Sequence, residues 1–250
     1  LSHATGEYIG FVDSDDWLGQ DALEKVCDAF REDVDSVLFR MLYVYSDGSQ
    51  KDYQMAPFRT MTGVEAFQAS LTWKIHGCYV VRNSIHMAYP YDESQRAYSD
   101  DNTTRIHYYY SRKVAYSEGI YYYRQQVASV THKVSVRRFD FLLANESMRR
   151  QLIALGASEE NLRCFETVRW LNLVGVYMFY YLHRNELSDA DRQQGLSIMH
   201  HVWHTINIKQ VSRSIRCKFG YMPLRFSWSL FRLQEELYFW LRGLVGKNRE

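Results

Sequence analysis

The sequence predicts an α/β domain followed by an all-α region. Three features carry this reading: an apolar run, Tyr8 to Val12, that ends in a cluster of acids; strand and helix patterns that alternate as far as Arg124; and purely helical periodicity from about Ser135 onward. The resulting division is 1–132 for the α/β part and 133–250 for the helical part, with the boundary near Lys133.

Tyr8 to Val12 suits a short buried strand that delivers carboxylates at its C-terminal edge. Gln20 to Arg31 places Ala22, Leu23, Val26, Ala29 and Phe30 on one helical face. Ser36 to Tyr45 is rich in β-branched and aromatic residues and stops at Ser46-Asp-Gly-Ser49, as a strand does before a turn. Thr62-Gly-Val-Glu65 has the spacing of a capping box and predicts a helix start. Gly77 to Val81 reads as a strand, and Asp100 to Ser111 as a helix opening on two acids. Val114 to Ser117 and Ile120 to Arg124 read as two short strands joined by a turn at Glu118-Gly119. Beyond these, helices are expected near 135–155, 158–184, 188–208 and 223–245, with breaks at Gly156, Asn185 to Ser188 and Pro223.

A chain of 250 residues, 46% hydrophobic and 24% charged, has enough apolar material for a substantial core, which argues against disorder. The net charge of +1 hides an acidic stretch over 1–60 and a basic one over 201–250. Cys27, Cys78, Cys164 and Cys217 are widely spaced and form no C-x-x-C pair, which fits a reducing, cytoplasmic setting. The most apolar stretch, Trp170 to Leu182, contains Asn172 and falls short of the roughly 20 residues that span a bilayer, so no transmembrane helix is expected. The chain opens on a loop-like Leu1-Ser-His-Ala-Thr-Gly6 that leads straight into a strand, and it reads as the later part of a longer domain.

Asp13, Asp15 and Asp16 follow that first strand directly, at the sheet edge where α/β folds bind ligands. Three readings compete on the residues alone. Asp16 or Asp21 suits the cap of the next helix. Asp13, Asp15, Asp21 and Glu24 fit positions 1, 3, 9 and 12 of a calcium loop, but Trp17 and Leu18 then occupy places that need an oxygen ligand and a turn glycine. Alternatively, Mg²⁺ or Mn²⁺ bridging the acids to a diphosphate removes their mutual repulsion, since these hard cations take one or two carboxylates plus phosphate oxygens.

Ala4-Thr-Gly-Glu-Tyr-Ile-Gly-Phe-Val-Asp-Ser-Asp-Asp-Trp-Leu18 resembles the segment around the D-x-D motif of family 2 glycosyltransferases, which have the GT-A (Rossmann-like) fold. Further likenesses follow in the family's order. Thr72-Trp-Lys-Ile-His-Gly-Cys-Tyr-Val-Val-Arg82 resembles the Trp-containing strand, with the usual Lys-Leu-Tyr core altered. Ser99-Asp100-Asp101 stands where the family has Glu-Asp, and Ile120-Tyr-Tyr-Tyr-Arg124 with Ser129-Val-Thr131 resembles its closing motif. The likeness covers about 1–132 and implies the C-terminal portion of a GT-A domain, with the upstream strands that bind the donor's base and ribose lying outside this sequence.

The resemblance implies inverting transfer of a sugar from a nucleotide-sugar donor to a glycan or lipid-linked acceptor, in surface polysaccharide or lipopolysaccharide synthesis. Asp15, with Asp13 and Asp16 as further ligands or ribose contacts, would hold Mg²⁺ or Mn²⁺ at the leaving diphosphate. Asp101 is the expected general base, with Asp100 the other candidate because it replaces the family's Glu. Trp73 is a candidate for stacking on a sugar ring and Arg124 for meeting phosphate oxygens, while His76 and His132 read as structural. No Gln-x-x-Arg-Trp follows the second acidic motif, which points to a non-processive enzyme.

Residues 201–250 carry nine Lys/Arg against three acids, interleaved with aromatic residues. This character suits either packing on a catalytic core or adsorption to an anionic membrane surface, peripheral at the inner face of the cell membrane. No nucleic-acid module accompanies the charge, so nucleic acid is not an expected partner. The competing reading of the whole chain is a non-catalytic module that binds acceptor or docks on a membrane.

Overall fold

The computed structural model describes residues 4–91, 98–125 and 134–248. These form two compact units: one drawn from the chain up to 93 and from 99 to 132, the other from Tyr98 and from 133 onward. The division expected near Lys133 falls outside the described residues, as do His132 and the Ser129-Val-Thr131 segment.

Among the described residues the first unit is built on a mixed seven-stranded sheet: β1 (Tyr8–Gly10), β2 (Trp17–Leu18), β3 (Ser36–Val44), β4 (Gln50–Asp52), β5 (Thr60–Thr62), β6 (Tyr79–Arg82) and β7 (Lys113–Arg124). The main order is β1-β6-β3-β7-β2, with β4 on β3 and β5 on β7. β3 and β7 run parallel, while β1 and β3 each pair antiparallel with β6. β3 is the axis, because Val37, Leu38 and Phe39 are buried and alternate between two hydrophobic layers. Val37 and Phe39 pack with Val26 and Phe30 of α1 (Ala22–Phe30). Leu38 packs with Ala66 of α2 (Gly63–Ser70) and Tyr108 of α4 (Ser99–Tyr110). A short α3 (Asn83–Ala88) follows β6.

The capping box at Thr62 forms as expected: Glu65 N–H donates to Thr62 Oγ1 at 3.3 Å, and Thr62 N–H donates to Glu65 Oε2 at 2.8 Å. Two other expectations change. The segments 114–117 and 120–124 are one strand, β7, and both pair with β3 in the same parallel sense. What reads as a hairpin turn at Glu118-Gly119 is a bulge, where the register jumps from Leu38/Tyr116 to Arg40/Ile120. Glycine is required there because a Cβ on Gly119 would come within 2.5 Å of the Ala22 carbonyl at the start of α1. Leu23, expected on the buried face of α1, is exposed beside Val12. The two- and three-residue strands β2, β4 and β5 are too short for alternation to reveal them, so their pairing partners alone define them.

The second unit is helical among its described residues. After a 3-10 turn (Val136–Phe139) come α5 (Asp140–Ala154), α6 (Glu159–His183), α7 (Asp189–Thr205), the short α8 (Arg213–Arg216) and α9 (Trp228–Leu244). α9 starts later than its expected 223, after Ser227, whose hydroxyl accepts from Ser229 N–H. Trp170, Tyr177, Trp203, Phe231 and Phe239 form the centre of its core. Inside it, the buried Glu166 carboxylate is met by Arg149, by Arg169 and by Asn207 N–H, so its charge is fully paired.

The tightest approach in the first unit is Gly63, where a Cβ would lie 1.9 Å from the Ser111 carbonyl oxygen and 2.3 Å from that of Tyr108. α2 therefore seats on the C-terminal end of α4 through bare backbone. Gly63→Ala should lower stability by about 1–3 kcal/mol, the cost of overpacking, measured by urea unfolding.

Candidate active site

Residues 11–16 join the two ends of the main strand order, leaving β1 at one end and entering β2 at the other. The acids therefore lie on a connection that crosses the end of the sheet. Two features fix it. Asp16 N–H donates to the Asp13 carbonyl at 3.0 Å, closing a turn. The Asp16 carboxylate then accepts from Arg124 N–H at 2.8 Å and from Tyr121 Oη at 2.9 Å, while the Tyr121 hydroxyl also receives Asp13 N–H at 3.1 Å. Both oxygens of Asp16 are thus engaged by β7. Asp16 does not cap α1, whose N-cap residue Asp21 instead pairs with Lys25.

Asp13 and Asp15 are exposed on the same turn. Partial burial raises Asp13 above the usual carboxylate range, and the charges of Asp16, Asp15 and Asp100 raise it further. The turn is therefore close to the start of α4, although Asp13 and Asp100 are distant in sequence. Tyr91 is near both: burial pushes its hydroxyl up to about 12, with Asp100 and Asp13 adding to the shift. Its ring meets Phe11 edge-on at 5.1 Å.

Asp101 is the most perturbed carboxyl of the group. Burial raises it to about 6, Arg105 opposes that rise, and Asp100 adds to it. Arg105, one turn further along α4, is buried, and its guanidinium lies 5.3 Å from the centre of the Trp73 ring. Trp73 has a left-handed backbone at φ 55°, held in part by its carbonyl, which accepts from Tyr53 Oη. Its ring stays half exposed. Trp73, Arg105 and Asp101 thus form one connected group.

Arg124 lies at the opposite end of the acid turn, with its guanidinium 5.2 Å from the Trp17 ring, which stacks on Tyr122. Its charge also acts on Asp16. His76 is buried and held near pH 4, so it is neutral and structural. The structure therefore brings together Asp13, Asp15, Asp16 and Asp100, links Asp101 to Trp73, and sets Arg124 beside Asp16. Arg105, Tyr121, Tyr91 and Tyr53 are additions that the sequence did not single out. Arg105 had a readable signal in its i,i+4 spacing from Asp101, and Tyr121 lies within the closing Ile120-to-Arg124 motif.

Among the described residues no group of three or more His, Cys, Asp or Glu is arranged to hold a metal ion by itself. The donor set nevertheless suits a hard divalent cation shared with phosphate. Asp13 and Asp15 could supply exposed oxygen ligands, and a cation there would offset the charges of Asp16, Asp15 and Asp100 that add to the effect of burial on Asp13.

Residues 1–89 match the family model described as glycosyl transferase family 2, a span that includes the acid turn and Trp73 and stops short of α4. The crystal structure of S. aureus TarS 1-349 superposes with a TM-score of 0.69, covering 96% of this chain and 68% of that one at 14% identity. The fold is GT-A-like. A comparison with curated proteins gives no match. In this GT-A-like arrangement the acid turn and the start of α4 occupy one end of the sheet, which agrees with the general placement of ligands in α/β folds.

Tyr121 is the residue on which the turn's position rests. Tyr121→Phe should cost about 1–3 kcal/mol, because it strips a hydrogen bond from a charged acceptor and unpairs Asp13 N–H. Urea unfolding measures this loss.

Proposed function

We propose that the chain is a glycosyltransferase that moves one sugar, with inversion, from a nucleotide-sugar donor to a glycan or lipid-linked acceptor of a surface polysaccharide. The observation that carries the proposal is the meeting of two carboxylate groups of different character at one sheet end: the exposed Asp13-x-Asp15 turn and the half-buried Asp101, whose carboxyl is raised to about 6. The family match over 1–89 and the GT-A-like fold support it.

On this reading the acid turn faces the donor's diphosphate and Asp101 faces the acceptor. Asp15 and Asp13 would hold Mg²⁺ or Mn²⁺, which supplies charge neutralisation to a departing diphosphate. Asp16 keeps the turn in register, and Arg124 adds positive charge beside it. Asp101 takes the proton of the acceptor hydroxyl as that oxygen bonds to the anomeric carbon and the bond to the diphosphate breaks. A carboxyl near 6 is largely ionised at neutral pH yet basic enough to accept that proton. Trp73 offers an exposed aromatic face for a sugar ring, and Arg105 fixes both Trp73 and Asp101. The donor's base and ribose would be bound by residues upstream of the acid turn, beside β1, which ends the main strand order.

Sugar transfer by the full-length protein tests the assignment. Asp101→Asn should lower kcat by about 10²- to 10⁴-fold with little change in KM, and Asp15→Ala should lower kcat/KM by at least about 10²-fold. Unchanged transfer in both variants would remove these two carboxylates from the chemistry and overturn the assignment.

The pH profile is a separate check. A base acts in its ionised form, so the activity controlled by Asp101 should rise as pH increases through about 6 and fall away below it. A limb at the ordinary carboxylate position near 4 would remove Asp101 from that role.

A further inference from the structure

The helical unit presents a face that its own core does not use. On α9, Leu230, Leu233, Leu237, Trp240, Leu241 and Leu244 are all at least 41% exposed. At 100° per residue these positions fall within an arc of roughly 100°, so they form one continuous stripe. None is charged. The opposite side of the same helix buries Phe231, Gln234, Glu235 and Phe239. Helix propensity and core packing therefore account for one face of α9 and leave the other unexplained, since a run of six exposed apolar side chains carries a standing cost in water.

Positive charge borders the stripe. A groove of about 480 Å³ runs along the C-terminal half of α9, where Lys218, Arg242 and Lys247 meet Tyr238 and the stripe residue Leu241. Lys218 sits 4.5 Å from the centre of the Tyr221 ring, and Arg242 lies over Tyr238 at 5.7 Å. The acids of this helix do not oppose that charge. Glu236 is bound to Arg184, and the buried Glu235 is raised to about 8 by burial. No helix of the described residues is long and apolar enough to cross a membrane, so such a stripe lies along a surface and does not span it.

We infer that the exposed face of α9 docks in the plane of an anionic membrane, with the leucine and tryptophan stripe in the headgroup region and the exposed Lys218 and Lys247, at its edge, against lipid phosphates. Charge complementarity selects this occupant over a second copy of the chain, because two copies of this face would bring the same cations together. The inference stands apart from the sugar-transfer reading, since it concerns the second unit and is measured without activity.

The probe is co-sedimentation of the whole protein with vesicles of phosphatidylcholine containing about 30% phosphatidylglycerol. Binding is expected to these vesicles, at least about tenfold weaker to pure phosphatidylcholine, and weaker at 0.5 M salt as the Debye length shortens to a few ångströms. Leu237→Gln with Trp240→Gln, exposed positions where glutamine keeps helix propensity, should lower binding at least about tenfold with unchanged circular dichroism. Lys218→Gln with Lys247→Gln should lower binding to anionic vesicles only. Absence of binding, equal binding by the stripe variant, or a dimer that the stripe variant converts to monomer would each overturn the proposal, the last by assigning the face to a second copy.

Discussion

The two hydrogen bonds that the Asp16 carboxylate accepts from β7 hold the site together. The connection carrying the acids has to cross from one end of the strand order to the other, and an unanchored crossing would leave the acids without a fixed position. The Tyr121 hydroxyl and the Arg124 amide supply donors from a strand that is itself buried against β3. A charged acceptor with two fixed donors makes such an anchor strong. The remaining carboxylates, Asp13 and Asp15, then stay exposed at a set place, where burial and the neighbouring acids raise Asp13.

The other side of the site follows a different rule. α4 is buried through most of its middle, from Asn102 to Tyr108, so its first turn is held by the core beneath it. Asp101 sits where burial pushes its carboxyl up and Arg105 pulls it back, and the balance falls near 6. Trp73 adds a strained left-handed backbone, which costs about 1–3 kcal/mol and persists because Tyr53 and Arg105 fix both its carbonyl and its ring. Strain of this kind places an exposed aromatic face beside a tuned carboxyl.

In the helical unit the interior charges are paired among themselves, as with Glu166 between Arg149 and Arg169. The basic excess of 201–250 is therefore partly internal: Arg225 packs over Trp203 and Arg232 reaches Tyr177. Of the cations that remain outward, Lys218 and Lys247 lie beside α9 at the edge of its apolar stripe, while Lys209, Arg213 and Arg216 line a separate groove. An average over the sequence window gave the sign of this surface but not its place.

Local pattern determined much of this protein. The acid cluster after an apolar strand, the Thr62 to Glu65 capping box and the helical periods after 135 are set by residues near one another in sequence, and each appears where its spacing puts it. The ordered motifs between 4 and 124 carried the fold class for the same reason. Tertiary structure decided the rest. Whether Glu118-Gly119 is a hairpin turn or a bulge depends on which strand both flanks pair with, and that strand, β3, lies some 80 residues earlier. Whether Asp16 caps a helix or clamps a loop depends on donors from Tyr121 and Arg124. The raised carboxyl of Asp101 comes from burial, which no spacing encodes. Residue types and periods are local quantities, whereas partners, desolvation and strain exist only once distant segments meet.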